Sequence, residues 1–151
     1  MEKKDYFNKE YNYVKDTNKR NDLILLVSGL PDYFFEIPAS STGKYHPEFA
    51  ATEHGLVKHT KVATRIAYEL LNNPGLNNFT DSEKDIIIMA LVLHDGFKSG
   101  KIKEKYTRFD HPLLASEYVR ENKDKLSLND DEIDLITRVI ASHMGIWNKD
   151  Y

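Results

Sequence analysis

Apolar residues recur along this chain at steps of three and four, the repeat of a helix face, and nowhere alternate strictly as in a half-buried strand. Tyr6, Phe7, Tyr11 and Val14 share one face of a short N-terminal helix. Asn21 and Asp22 precede the apolar run Leu23, Ile24, Leu25, Leu26 and Val27, which predicts a second short helix ending at Ser28 and Gly29. Pro31, Pro38, Gly43 and Pro47 punctuate residues 31–49, too proline-rich a stretch for a helix. From Gly55 the helical repeat returns: Leu56, His59, Ala63, Ile66, Ala67 and Leu70 define an apolar stripe that stops at Asn72, Asn73, Pro74 and Gly75.

Thr80 and Glu83 stand at the spacing of a capping box, in which hydroxyl and carboxylate satisfy first-turn amides. They open a helix that is apolar almost all round and runs through His94. Asp110 before His111 and Pro112 signals another start, since proline is tolerated in a first turn. Leu113, Leu114, Ala115, Tyr118 and Val119 give that helix its apolar side. Asp130 and Asp131 open a last helix in which Ile133, Ile136, Val139, Ile140 and His143 share a face. The pattern predicts an all-α fold, a compact bundle of about six helices.

At 151 residues the chain fits a single domain, with residues 1–50 forming N-terminal helices and an irregular segment and residues 51–151 the core. Apolar residues make up 40% and charged residues 30%, an ordinary globular balance. A net charge of −3 supplies no global field for nucleic acid, so any polyanion site needs a local basic patch. Cysteine is absent, which excludes disulfides and thiolate metal sites and leaves histidine and carboxylate as the strong ligands. The start carries no signal-peptide apolar stretch, and apolar runs fall short of the ~20 residues of a membrane span. A cytoplasmic protein, of a bacterial or phage-infected bacterial cell, is expected.

The chemistry lies in the histidines. His94 and Asp95 adjoin at the end of a helix that reads as buried, and such a pair is costly in a dry core unless satisfied. His59 and His143 fall on the apolar faces of their own helices, and His111 opens another. Four histidines and Asp95 can therefore meet at one point, as helical metal centres do. The alternative is that each histidine is satisfied separately by a backbone carbonyl. His46 and His54 lie in or next to the irregular segment, where surface or supporting roles compete with ligation.

The stretches Gly55 to Thr60, His94-Asp95-Gly96-Phe97-Lys98, Asp110-His111-Pro112 and Ser142-His143 resemble the H…HD…H…H series of the HD-domain metal-dependent phosphohydrolase superfamily. The resemblance covers roughly residues 38–148. The stretch Pro38 to His46, through Lys44, is similar to the segment before the first histidine in HD domains of bacterial 3′→5′ exoribonucleases, and small stand-alone proteins of this kind occur in bacteria and phages. The resemblance implies an HD-type helical bundle holding one or two divalent ions and hydrolysing a phosphoester. His59, His94 and Asp95 match the core ligands, and His111 and His143 the extra histidines of the two-metal branch. Where many relatives carry a second histidine this chain has Met144, and Asp150 is the one carboxylate after His143 available for the closing position.

Imidazole-rich, thiolate-free ligation suits Mn, Fe, Co, Ni or Zn better than Mg. Such ions activate water for attack on phosphorus. Glu53 and Asp110 are candidates to orient the ligating rings. Lys98 is placed to stabilise charge on phosphoryl oxygens, with a solvated loop lysine as the alternative. Lys98, Lys101, Lys103, Lys105 and Arg108, against Glu104 alone, form the dense basic stretch of the chain. That stretch reads as a phosphate-tracking loop or an ordinary charged surface. Arg108 and Tyr106 suit a phosphate or a base, and Trp147 suits stacking on a nucleobase or packing on the N-terminal segment. Lys44 and His46 complete the expected substrate contacts.

Two patterns are rejected. Ser41 to Lys44 lacks the earlier glycine of a phosphate loop, and no serine sits on a strand-turn-helix elbow. The expected function is cleavage of a phosphoester of a nucleotide or nucleic-acid end by metal-activated water, catalysed by Asp95 and Lys98, in a protein that can oligomerise. The alternatives are a one-ion nucleotide 5′-phosphomonoesterase and a non-catalytic metal-containing binding or regulatory module.

Overall fold

The computed structural model describes residues 2–37, 54–76, 78–98 and 111–142. The described residues form six α-helices and no strand, which makes the fold all-α. These are α1 (Asn8–Tyr11), α2 (Thr17–Ser28), α3 (Gly55–Leu71), α4 (Asp81–Leu93), α5 (His111–Glu121) and α6 (Asp130–Ala141). Short 3-10 turns occupy Lys3–Phe7, Asp32–Phe35, Pro74–Leu76 and Lys123–Lys125. None of these helices is long and apolar enough to cross a membrane.

Helix α4 is the axis of the core: α3 and α6 pack on it, and α5 packs on α6. Its Ile86, Ile88, Met89, Ala90, Val92 and Leu93 are all buried, as a helix apolar on nearly every side must be. Burying each large aliphatic side chain contributes about 1.5–3 kcal/mol, and this fixes the helix whose end carries His94 and Asp95. The start of α4 is the expected capping box, with the Thr80 hydroxyl accepting from Glu83 N–H and the Glu83 carboxylate from Thr80 N–H. Asn129 and Glu132 cap α6 in the same way.

Three expectations need correction. The N-terminal aromatic stretch forms a 3-10 turn running into one α turn and not a single helix, with Phe7, Tyr11 and Val14 buried. Helix α2 begins at Thr17, four residues before Asn21, because the Asp16 carboxylate accepts from Lys19 N–H at 2.9 Å and caps it there. In α3 the buried face is Leu56, Val57, Thr60, Thr64 and Leu71, whereas Ile66 and Leu70 are half exposed. The threonines can face inward because their hydroxyls donate to Leu56 and Thr60 carbonyls one turn back, at 2.9 and 2.7 Å. His59 consequently lies at the margin of the buried face, half-buried.

Buried Asp85 and Asp22, with half-buried Glu132, fasten the outer elements to this frame. Asp85 on α4 accepts Lys15 and Asp16 N–H at 2.8 and 3.1 Å, holding the α1–α2 connection. Asp22 on α2 accepts the N–H and hydroxyl of Ser127, the latter at 2.6 Å, holding the approach to α6. Glu132 accepts from Lys19 at 2.9 Å and Ser82 at 3.1 Å, joining α6 to α2 and α4. Burial opposes its ionisation, but the Asn129 N–H and the Lys19 and Ser82 contacts outweigh it and hold its carboxyl below the usual value.

Candidate metal centre

Three elements supply the candidate site: α3 carries His59, the C-terminal end of α4 carries His94 and Asp95, and α5 opens with His111. One donor atom each from His59, His94 and Asp95 lies within 4.8 Å of the others. Donors about 2.1 Å from one tetrahedral ion lie about 3.4 Å apart, so occupancy asks these side chains to close by up to about 1.4 Å.

The Asp95 carboxylate, 5% exposed, has imidazole nitrogens on both sides. Its Oδ2 lies 3.1 Å from His94 Nε2 and its Oδ1 lies 3.2 Å from His111 Nε2. His94 Nδ1 lies 2.5 Å from the Leu91 carbonyl, which can only accept, so Nδ1 carries the proton. In neutral His94 the Nε2 lone pair therefore points at a carboxylate oxygen. Two acceptors at that distance repel unless a positive charge lies between them, either a second proton on the ring or a cation. Burial disfavours the charged ring, but the Asp95 charge and hydrogen bond and the Leu91 carbonyl together raise its pKa above the ordinary imidazole value. The donor set thus attracts a proton and fits a divalent ion for the same reason. His111, 2% exposed, approaches the other oxygen and can donate to it through Nε2–H.

The turn after α4 sets these directions. Gly96 N–H bonds the Leu93 carbonyl at 3.0 Å and Lys98 N–H bonds that of Asp95 at 3.1 Å. Gly96 lets the turn pack closely, since a Cβ there would stand 2.6 Å from Leu30 Cδ2 and displace that side chain. Lys98 is half-buried, and its charge is close enough to oppose protonation of His94.

The structure brings together His59, His94, Asp95 and His111, with Lys98 one turn away. His143, Lys44, His46, Arg108 and Trp147 lie outside the described residues, as do Glu53, Tyr106, Asp110, Met144, the closing-position candidate Asp150 and the basic residues Lys101, Lys103 and Lys105. His54 serves as a backbone clamp: its Nδ1 lies 2.6 Å from the Phe35 carbonyl, its N–H bonds Glu36, and it takes a left-handed φ of 63° before α3. The residue that orients His94 is Leu91, through its carbonyl. No side chain announces that role; a helix-terminal histidine three residues after it is the only signal.

No family model matches the chain, and no solved structure matches it. It is similar to the 3′-5′ exoribonuclease YhaM of Listeria welshimeri serovar 6b, 27% identical over 141 residues, covering 87% of this chain and 42% of that protein. The protein of the same description from Listeria monocytogenes serotype 4b is 26% identical over the same length and coverage. The chain spans about two fifths of the length of the curated relatives it matches.

Proposed function

We propose that this protein is a metal-dependent phosphohydrolase of the HD type that cleaves a phosphoester at the end of a nucleic-acid strand, or in a nucleotide, by attack of metal-activated water. The observation that carries this reading is the joining of His59, His94 and Asp95 around one point, with the His94 Nε2 lone pair facing a carboxylate oxygen. The similarity to proteins described as 3′-5′ exoribonucleases favours an RNA 3′ end as substrate.

In this reading His59, His94 and Asp95 hold a first divalent ion, Mn, Fe, Co, Ni or Zn in preference to Mg. His111 and His143 serve a second ion. Bound metal acidifies a water and neutralises charge on the phosphoryl oxygens. The chain's own contribution is orientation. The Leu91 carbonyl locks the tautomer of His94 in which Nε2 carries the lone pair that binds the ion. Asp95, held from both sides, presents two oxygens in fixed directions. Lys98 stabilises negative charge developing on the phosphoryl group, while Lys44, His46, Arg108 and Trp147 contact the substrate strand.

A one-ion 5′-phosphomonoesterase is the second reading, favoured by the three-donor group in which His111 is directed at Asp95 and not at the common centre. Purified protein with Mn, Co or Ni added should shorten single-stranded RNA from its 3′ end and cleave bis-nitrophenyl phosphate. A monoesterase would release phosphate from nucleoside monophosphates and leave diesters intact. Wild type matching Asp95→Ala on every substrate and metal refutes both.

A further inference from the structure

The outer face of α3 carries an apolar ridge. Val62, Ile66 and Leu70 follow one another at steps of four and are 45%, 53% and 51% exposed. Single apolar residues on a surface are ordinary, but three in line on one helix form a patch that calls for a cover. At 3.6 residues per turn, exposed Arg65 and Glu69 border the ridge on one flank, and half-buried Ala63 and Ala67 border it on the other. We propose that this ridge is the contact between two copies of the chain, packed antiparallel about a two-fold axis beside Ile66.

The ridge is self-complementary, as a two-fold contact requires. Val62 and Leu70 stand four residues either side of Ile66, so reversal sets Val62 against Leu70 of the second copy and Ile66 against its own counterpart. Rows of side chains four apart are also the ones that interdigitate in the commonest helix packing. Charge fixes the direction. An antiparallel two-fold lays like flanks side by side in reversed order, so Arg65 and Glu69 of opposite copies fall within about 3 Å of each other along the axis, and the pair occurs twice. A parallel pairing would instead set arginine against arginine and glutamate against glutamate. Within one helix Arg65 Nε already lies 3.3 Å from Glu69 Oε1, with both side chains more than half exposed. A guanidinium has five N–H donors and a carboxylate two oxygens, so each can bond across the axis as well. On the other flank the small Ala63 and Ala67 let the backbones approach. Three ridge residues per copy make a small interface, and the dimer is correspondingly weak. No residue of the metal cluster enters this contact, so it stands apart from the reaction proposed above.

Sedimentation equilibrium of the full chain tests this. Wild type should dimerise with a Kd on the order of 10–100 μM. Ile66→Glu, at a half-exposed position, should keep the fold by circular dichroism and weaken association about a hundredfold, because it sets two carboxylates across the axis. Arg65→Glu and Glu69→Arg should each dimerise about tenfold more weakly on their own. Their equimolar mixture should associate at least as tightly as wild type, since opposite charges then meet only between unlike copies. Each variant keeps like charges within its own helix, so the intrahelical pair cannot account for that recovery. A mixture no tighter than its components overturns the proposal, as does a dimer that Ile66→Glu leaves intact. A wild type still monomeric at about 1 mM overturns it too. Shielding of the Ile66 methyl from a soluble paramagnetic probe in that monomer would then assign the ridge to another part of this chain, and an open methyl to a different protein.

Discussion

Asp85 and Asp95 sit on the same stretch of chain, at the beginning and just past the end of α4, and are buried alike, 3% and 5% exposed. Their partners are opposite in kind. Asp85 receives two backbone N–H donors, and Asp22 likewise receives donors from Ser127. Asp95 faces imidazole nitrogens, one of them proton-free in its neutral tautomer. Burial therefore does not separate scaffold from site; the balance of donors and acceptors does. A carboxylate filled by fixed N–H groups has no use for a cation, whereas one set against a lone pair requires positive charge.

Exchanging the two roles gives the largest contrast. Asp95→Ala should lower phosphoester hydrolysis by about a thousandfold or more, measured as kcat/KM with Mn or Co, while the metal-free protein remains folded. Asp85→Ala should do the reverse, because it removes the buried carboxylate that accepts two N–H groups of the α1–α2 connection. Urea denaturation should show a loss of about 2–4 kcal/mol, with hydrolysis per folded molecule retained. Loss of activity per folded molecule in Asp85→Ala would remove the distinction.

Lys98→Ala should fall between, lowering kcat by about ten- to a hundredfold with metal content unchanged. A drop in bound metal instead would recast Lys98 as part of the scaffold.

The scaffold should also have its own pH signature. Glu132 has a folded pKa below its ordinary value of about 4.5, so its stabilisation is fully present above that value and is lost as pH falls through the lowered one. Melting temperatures of Glu132→Gln and wild type should differ most above the ordinary carboxyl value of about 4.5 and converge as pH falls through the lowered one. The smallest effect expected is Thr80→Ala, which removes one cap and should cost about 1 kcal/mol.

What could be read from the residues alone follows the same division. The capping box at Thr80 and Glu83 was legible because it is local, and the burial of α4 because its apolar run admits no polar face. The start of α2 was not, since Asp16 is separated from the apolar run by Thr17, Asn18, Lys19, Arg20, Asn21 and Asp22, which carry no hydrophobic repeat. The inward face of α3 was misassigned because Thr60 and Thr64 look polar in sequence yet satisfy their hydroxyls within the helix. His59, His94, Asp95 and His111 could be picked out as a group because titratable side chains on helices otherwise apolar have few uses. The Leu91 carbonyl, which sets the tautomer of His94, is a backbone atom with no mark in the sequence.

Metal content decides the matter most directly. Protein stripped of metal, dialysed against Mn or Co and then against metal-free buffer should retain at least about one ion per chain by elemental analysis, and Asp95→Ala should retain essentially none. Equal retention by wild type and Asp95→Ala, or none by either, would contradict a centre built from residues 59, 94 and 95.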